Sequence, residues 1–148
     1  QLEEVNNGLA AGTNAVTSFD QALAANRLAY DGMTAHGSWV ANRNLGRERE
    51  RVNATASYQN AVQQLTSAML KATFGGAPTE GERNYMERLN GSLSMSREER
   101  RFILEEGKKL VQARMNWQRF AANEIRAGRQ MPSFAEFETR QGAGGGRP

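Results

Sequence analysis

The sequence predicts an all-α fold, and three observations carry that expectation. Apolar and small residues recur at alternating steps of three and four from Leu2 to Val40, Thr/Ser-x-x-Glu boxes stand at three separate points in the second half, and only 3 prolines occur among 148 residues. Three-and-four spacing keeps side chains on one seam of a helix, whereas a strand requires period two. A hydroxyl followed three residues later by a carboxylate satisfies the orphan amides of a helix start.

The first element is a long N-terminal helix. Its seam runs through Leu2, Val5, Leu9, Gly12, Val16, Phe19, Leu23, Asn26, Tyr30, Met33, Gly37 and Val40. A register held through so many turns reads as a coiled-coil-like helix built to lie against other helices. Gly8, Gly12 and Gly37 each cost about 1 kcal/mol relative to Ala in a helix interior, which suggests close backbone approach, with buried Asn26 fixing register. The alternative is that these positions face solvent or mark short breaks. The expected self-association residues are therefore Leu9, Gly12, Val16, Phe19, Leu23, Asn26 and Tyr30.

The seam slips at Asn44, Leu45 and Gly46, where a kink or a turn between two helices belongs. The alternating run Arg47-Glu48-Arg49-Glu50-Arg51 follows as a solvated face. A new stripe comprises Val52, Tyr58, Val62, Leu65, Met69 and Ala72. Phe74-Gly75-Gly76-Ala77-Pro78 then stops the helix, because Pro78 cannot continue the hydrogen-bond ladder.

Thr79 and Glu82 open a short helix at about 80–90 with Tyr85, Met86 and Leu89 apolar, closed by Asn90-Gly91. Ser96 and Glu99 open a long helix at about 96–127, closed at Gly128. Its buried stripe is expected to be Phe102, Ile103, Leu110, Ala113, Trp117, Phe120, Ala121 and Ile125. It is expected to dock on the stripe from Val52 to Ala72. Ser133 and Glu136 form the third box, starting a short C-terminal helical turn anchored by Phe134 and Phe137. The organisation read from this is a self-associating helical segment over 1–74, a docking segment over 75–141 and a Gly-rich tail over 142–148. The first residue, Gln1, leads to the expectation that the chain is a fragment or the ordered part of something longer.

Composition bounds the chemistry. The chain has 39% hydrophobic residues, a mean hydropathy of −0.70 and no run of 18 apolar residues, so a simple membrane span is excluded. Without cysteine there is neither a disulfide framework nor a thiolate metal site. His36 is the only histidine, and one imidazole supplies no catalytic triad and no metal-ligand spacing. Gly75-Gly76 lacks the Gly-Lys-Ser/Thr of a phosphate loop, and no His-Glu-x-x-His helix occurs. No enzymatic activity, metal or cofactor is expected.

The whole net charge of +3 lies after residue 74. Arg97, Arg100 and Arg101 are the candidate phosphate contacts of a basic face, although Glu98 and Glu99 interleave with them as on an ordinary solvated helix.

Pro78-Thr79-Glu80-Gly81-Glu82-Arg83, then Tyr85-Met86-Glu87-Arg88-Leu89 and a helix opened by Ser96, resembles a segment of tailed-bacteriophage structural proteins, particularly internal virion or DNA-ejection proteins and some tape-measure proteins. The resemblance covers residues 75–127. It implies a non-enzymatic virion part, made in the bacterial host cytoplasm, that forms a homo-oligomeric ring or tube near the portal or tail. The partners it implies are other virion proteins of portal, tail or core and, independently of sequence, double-stranded DNA. No active-site residue carries over. The rival expectation is a cytoplasmic helical adaptor that binds nucleic acid through its basic face.

Overall fold

In the computed structural model, which describes residues 2–72 and 78–145, the chain is all-α. Its helices are α1 (Leu2–Asn26), α2 (Ala35–Leu45), α3 (Arg49–Ala72), α4 (Glu80–Asn90), α5 (Arg97–Arg126) and α6 (Phe134–Gly145), with a 3-10 turn at Ser92–Ser94 between α4 and α5. Three long helices set the architecture. α1 lies along both α3 and α5 and runs antiparallel to each, so it occupies the middle of the layer.

The principal core is shared by helices on both sides of residue 75. Ala15, Phe19 and Ala22 of α1 meet Tyr58, Leu65 and Met69 of α3, Tyr85, Met86 and Leu89 of α4, and Ile103, Leu104 and Val111 of α5. The expected self-associating and docking segments therefore share one interior. Each residue of the α3 stripe, Val52, Tyr58, Val62, Leu65, Met69 and Ala72, is buried.

The N-terminal seam is not one helix. α1 ends at Asn26, residues 27–34 form a turn, and α2 folds back toward the start of α3. Gly32 adopts φ +80°, a region most L side chains avoid, and its amide donates to the Met95 carbonyl at 2.9 Å. The Tyr30 amide donates to Thr55 Oγ1 at 2.9 Å, while Trp39 Nε1 donates to the Val52 carbonyl at 3.1 Å. The expected break near Gly46 is present, with Gly46 at φ 66° and Glu48 at φ 49°.

All three capping boxes mark real starts. Glu82 N donates to Thr79 Oγ1 and Thr79 N to Glu82 Oε1; Ser133 and Glu136 make the same reciprocal pair. Ser96 Oγ accepts from Glu99 N and donates to the Glu99 carboxylate. α5 ends at Arg126, just before Gly128 at φ 75°.

Three other expectations change. α5 lies chiefly on α1, and it also reaches the α3 stripe, at Tyr58 through Arg100 and at Ala72 through Gln118. Of the expected stripe Ile103, Trp117 and Ala121 are buried but Phe102 is 65% exposed, because the buried side of α5 also takes in Arg100, Leu104, Gly107, Val111, Arg114 and Met115. The helix of α6 continues through 142–145, the first part of the expected Gly-rich tail. The expected stop at Phe74-Gly75-Gly76-Ala77 lies outside the described residues.

Candidate functional site

The face of α1 that the sequence assigns to self-association is occupied within the chain. Phe19, Asn26 and Tyr30 are buried, and Leu9, Val16 and Leu23 pack against the principal core. Gly8 and Gly12 do mark close approach, but to α5. A Cβ at Gly8 would meet the Gln118 amide and one at Gly12 would meet the Met115 side chain at 2.6 Å. Among the described residues nothing beyond the backbone of its own helix and its chain neighbours lies within 4 Å of the corresponding position at Gly37, so close packing does not account for that glycine. The reason is topological: a central helix with neighbours on two sides has its seam filled by its own chain.

The proposed phosphate triad separates. Arg97 is a clasp between α5 and the end of α1: its Nε donates to the Asn26 carbonyl at 2.9 Å and its Nη2 to the Ala29 carbonyl at 3.0 Å. Asp31 accepts from the Arg97 amide, and the Asn26 side-chain amide donates to the Arg97 carbonyl. Arg100 is fully buried with its guanidinium 4.8 Å from the Tyr58 ring centroid, and none of its three side-chain nitrogens has a hydrogen-bond partner among the described residues. Burial pulls its pKa down, opposed by the Asp31 carboxylate and aided by the Arg97 charge. Arg101 is exposed to solvent, and the Arg97 side chain remains 42% exposed beside its bonds. Three-and-four spacing would put 97, 100 and 101 on one side of α5, so the split comes from the packing of α1 and α3 against Arg97 and Arg100.

A second polar junction ties three helices together. Arg114 of α5 grips Glu82 of α4 through two parallel bonds, Nε to Oε2 at 2.8 Å and Nη2 to Oε1 at 2.7 Å. The same guanidinium lies 3.9 Å from the Phe134 ring centroid of α6. Burial alone would raise the Glu82 pKa, but the bonds from Arg114 and Thr79 outweigh it and hold the carboxyl below its ordinary range. Gln118 closes the bundle's other end, its Nε2 donating to the Ala72 carbonyl at 2.7 Å. Such a bond satisfies a carbonyl that a helix C-terminus leaves open.

The sequence identified Glu82 as a cap but missed Arg114 as its long-range counterpart and Gln118 as the partner of the Ala72 carbonyl. Their signal was positional. Both fall on the stripe that also holds Val111, Met115, Ala121 and Ala122, where a polar side chain needs an internal partner.

Two contrasting surfaces remain. Outward positions on α5 carry Glu98, Arg101, Glu105 and Lys109. Outward positions on the α1 and α3 pair carry uncharged polar and small residues, which line a shallow groove between the two helices. Among the described residues no group of three or more His, Cys, Asp or Glu side chains is placed to hold a metal, and no helix is long and apolar enough to cross a membrane. Comparison with protein-family models, curated proteins and solved structures finds no match to the chain.

Proposed function

We propose that this protein is a non-enzymatic structural component that acts by helix packing and assembly with copies of itself. The observation that carries the reading is the use made of the buried polar side chains. Glu82, Arg114, Gln118 and Asn26 each bind an element distant in sequence, so chemistry that would otherwise be available for catalysis fixes the relative placement of helices. Buried ion pairs of this kind select one arrangement rather than adding much net stability.

The setting we propose is a tailed-phage virion, in a ring or tube near the portal or tail whose rearrangement accompanies DNA ejection. The Thr79 box followed by the Ser96 helix, on which the phage resemblance rests, supports this setting. Neighbouring virion proteins and the backbone of double-stranded DNA are the partners it implies. The adaptor reading has less support, because two of its three candidate arginines are held within the fold.

Sedimentation velocity and negative-stain microscopy of the purified chain, from micromolar to near-millimolar concentration, test the assembly. Discrete oligomers, ring-shaped in projection, are expected. A chain that remains monomeric throughout the range overturns the reading.

A further inference from the structure

From Val52 to Leu70 α3 carries no charged side chain, and from Val5 to Asn26 α1 carries only Asp20. Asp20 is committed elsewhere, accepting from Lys108 Nζ of α5 at 2.8 Å. The outward positions of the pair keep their own helical register: Asn14, Thr17 and Gln21 on α1, and Asn60, Gln64 and Ser67 on α3. This is the three-and-four spacing of a helix-contacting seam, but it faces away from the core. The charged outward face of α5 shows what ordinary solvation looks like in the same molecule.

We propose that the outward face of α1 and α3 is where a second copy of this chain docks, face to face about a two-fold axis passing near Gln21 and Gln64. This inference rests on the assembly reading above and names the surface that performs it. The occupant follows from chemistry. Across a two-fold axis a patch meets itself, so a charged residue near the axis meets its own charge. Amides and hydroxyls both donate and accept, and therefore satisfy one another in such a pairing. Gln21 and Gln64 border both halves of the groove, which places them at its middle, and Lys71 stands at one end, on the rim where a charge remains solvated.

The area is sufficient. The uncharged length of α3 runs about 28 Å and two adjacent helices are about 20 Å wide, so pairing two such faces hides about 1,100 Å², above the roughly 1,000 Å² of a specific interface. The alanines along the groove, Ala11, Ala24, Ala25 and Ala54, leave room for close helix approach.

The test uses the whole chain. Gln21→Lys places like charges near the axis and is expected to weaken self-association about tenfold or more by sedimentation equilibrium. Glu105→Lys on the outward face of α5 is expected to leave it unchanged, with denaturant melts confirming that both variants fold. Because the chain contains no cysteine, Gln64→Cys is expected to yield a covalent dimer on mild oxidation, whereas Gln112→Cys on α5 yields none. If the wild type assembles but Gln21→Lys assembles equally well, or both cysteines cross-link alike, the face is wrong while the assembly reading stands. If the wild type is monomeric at every concentration, both fail, and the groove belongs to a different partner.

Discussion

Glycine 107 and arginine 100 both lie on the buried stripe of α5, and they have opposite consequences for stability. A Cβ at Gly107 would enter space held by the Tyr85 phenol, which donates to the Ile103 carbonyl at 2.7 Å, and by the Phe19 ring. Burial also raises the Tyr85 pKa, so the phenol stays protonated and keeps that bond. Gly107→Ala is therefore expected to lose about 1–3 kcal/mol by overpacking. Gly37→Ala meets open space and is expected to gain up to about 1 kcal/mol of helix propensity. Urea melts of the two variants check this pair, and shifts of the same sign would refute the assignment of Gly107 to a close approach. Arg100 buries three unpartnered nitrogens against one ring contact. An unsatisfied buried donor costs about 1–3 kcal/mol, so Arg100→Met is expected to stabilise the protein by an amount in that range. A lowered urea midpoint for Arg100→Met would show that the guanidinium has a favourable partner.

Helix α4, with only 11 residues, is too short to be stable alone and depends on how its ends are held. Its N-terminus has the capping box, and the Glu82 carboxylate within that box also receives Arg114. Glu82→Gln leaves Arg114 buried without its counter-charge and is expected to cost about 3 kcal/mol. Because the folded Glu82 pKa is lowered, its stabilisation is complete above the ordinary carboxylate range and fades as pH falls through the folded value. The melting temperature is therefore expected to drop below about pH 4 in the wild type, and to drop less in Glu82→Gln. Identical acid profiles would remove Glu82 as the group responsible. This element also shows which parts of a fold a sequence reveals. The box at Thr79 was legible because its partners are three residues apart, and Ser96 and Ser133 were legible for the same reason. Arg114 lies 32 residues from Glu82, and a charge among other charges on α5 carries no local sign that it turns inward.

At the scale of the whole molecule, the period of a seam was legible and its partner was not. Leu9, Gly12, Val16 and Phe19 keep a spacing that any apposed helix satisfies, whether from the same chain or another. Asn26 and Tyr30 continue that spacing across the point where α1 ends, so the turn at 27–34 was hidden by residues that stay buried for other reasons: Asn26 binds Arg97, and Tyr30 binds Thr55 and Glu48. Topology also decides which arginines can meet DNA. Arg100 is enclosed and Arg97, though 42% exposed, commits its guanidinium to two main-chain carbonyls, so Arg101 is the exposed member of that cluster whose guanidinium bonds no main-chain carbonyl among the described residues. Any duplex binding is expected to be weak, indifferent to sequence and steeply lost between about 50 and 200 mM salt. In fluorescence anisotropy with a labelled duplex, Arg101→Gln is expected to reduce the slope of log affinity against log salt by at most about 1. Arg97→Gln is expected instead to lower the melting temperature by opening the clasp between α1 and α5, with the salt slope unchanged. A slope that falls by about 3 when Arg97, Arg100 and Arg101 are replaced together, with no loss of stability, would contradict this division of roles. A sequence-selective complex that survives 200 mM salt, about the upper end of that range, would replace the mechanical reading with the adaptor.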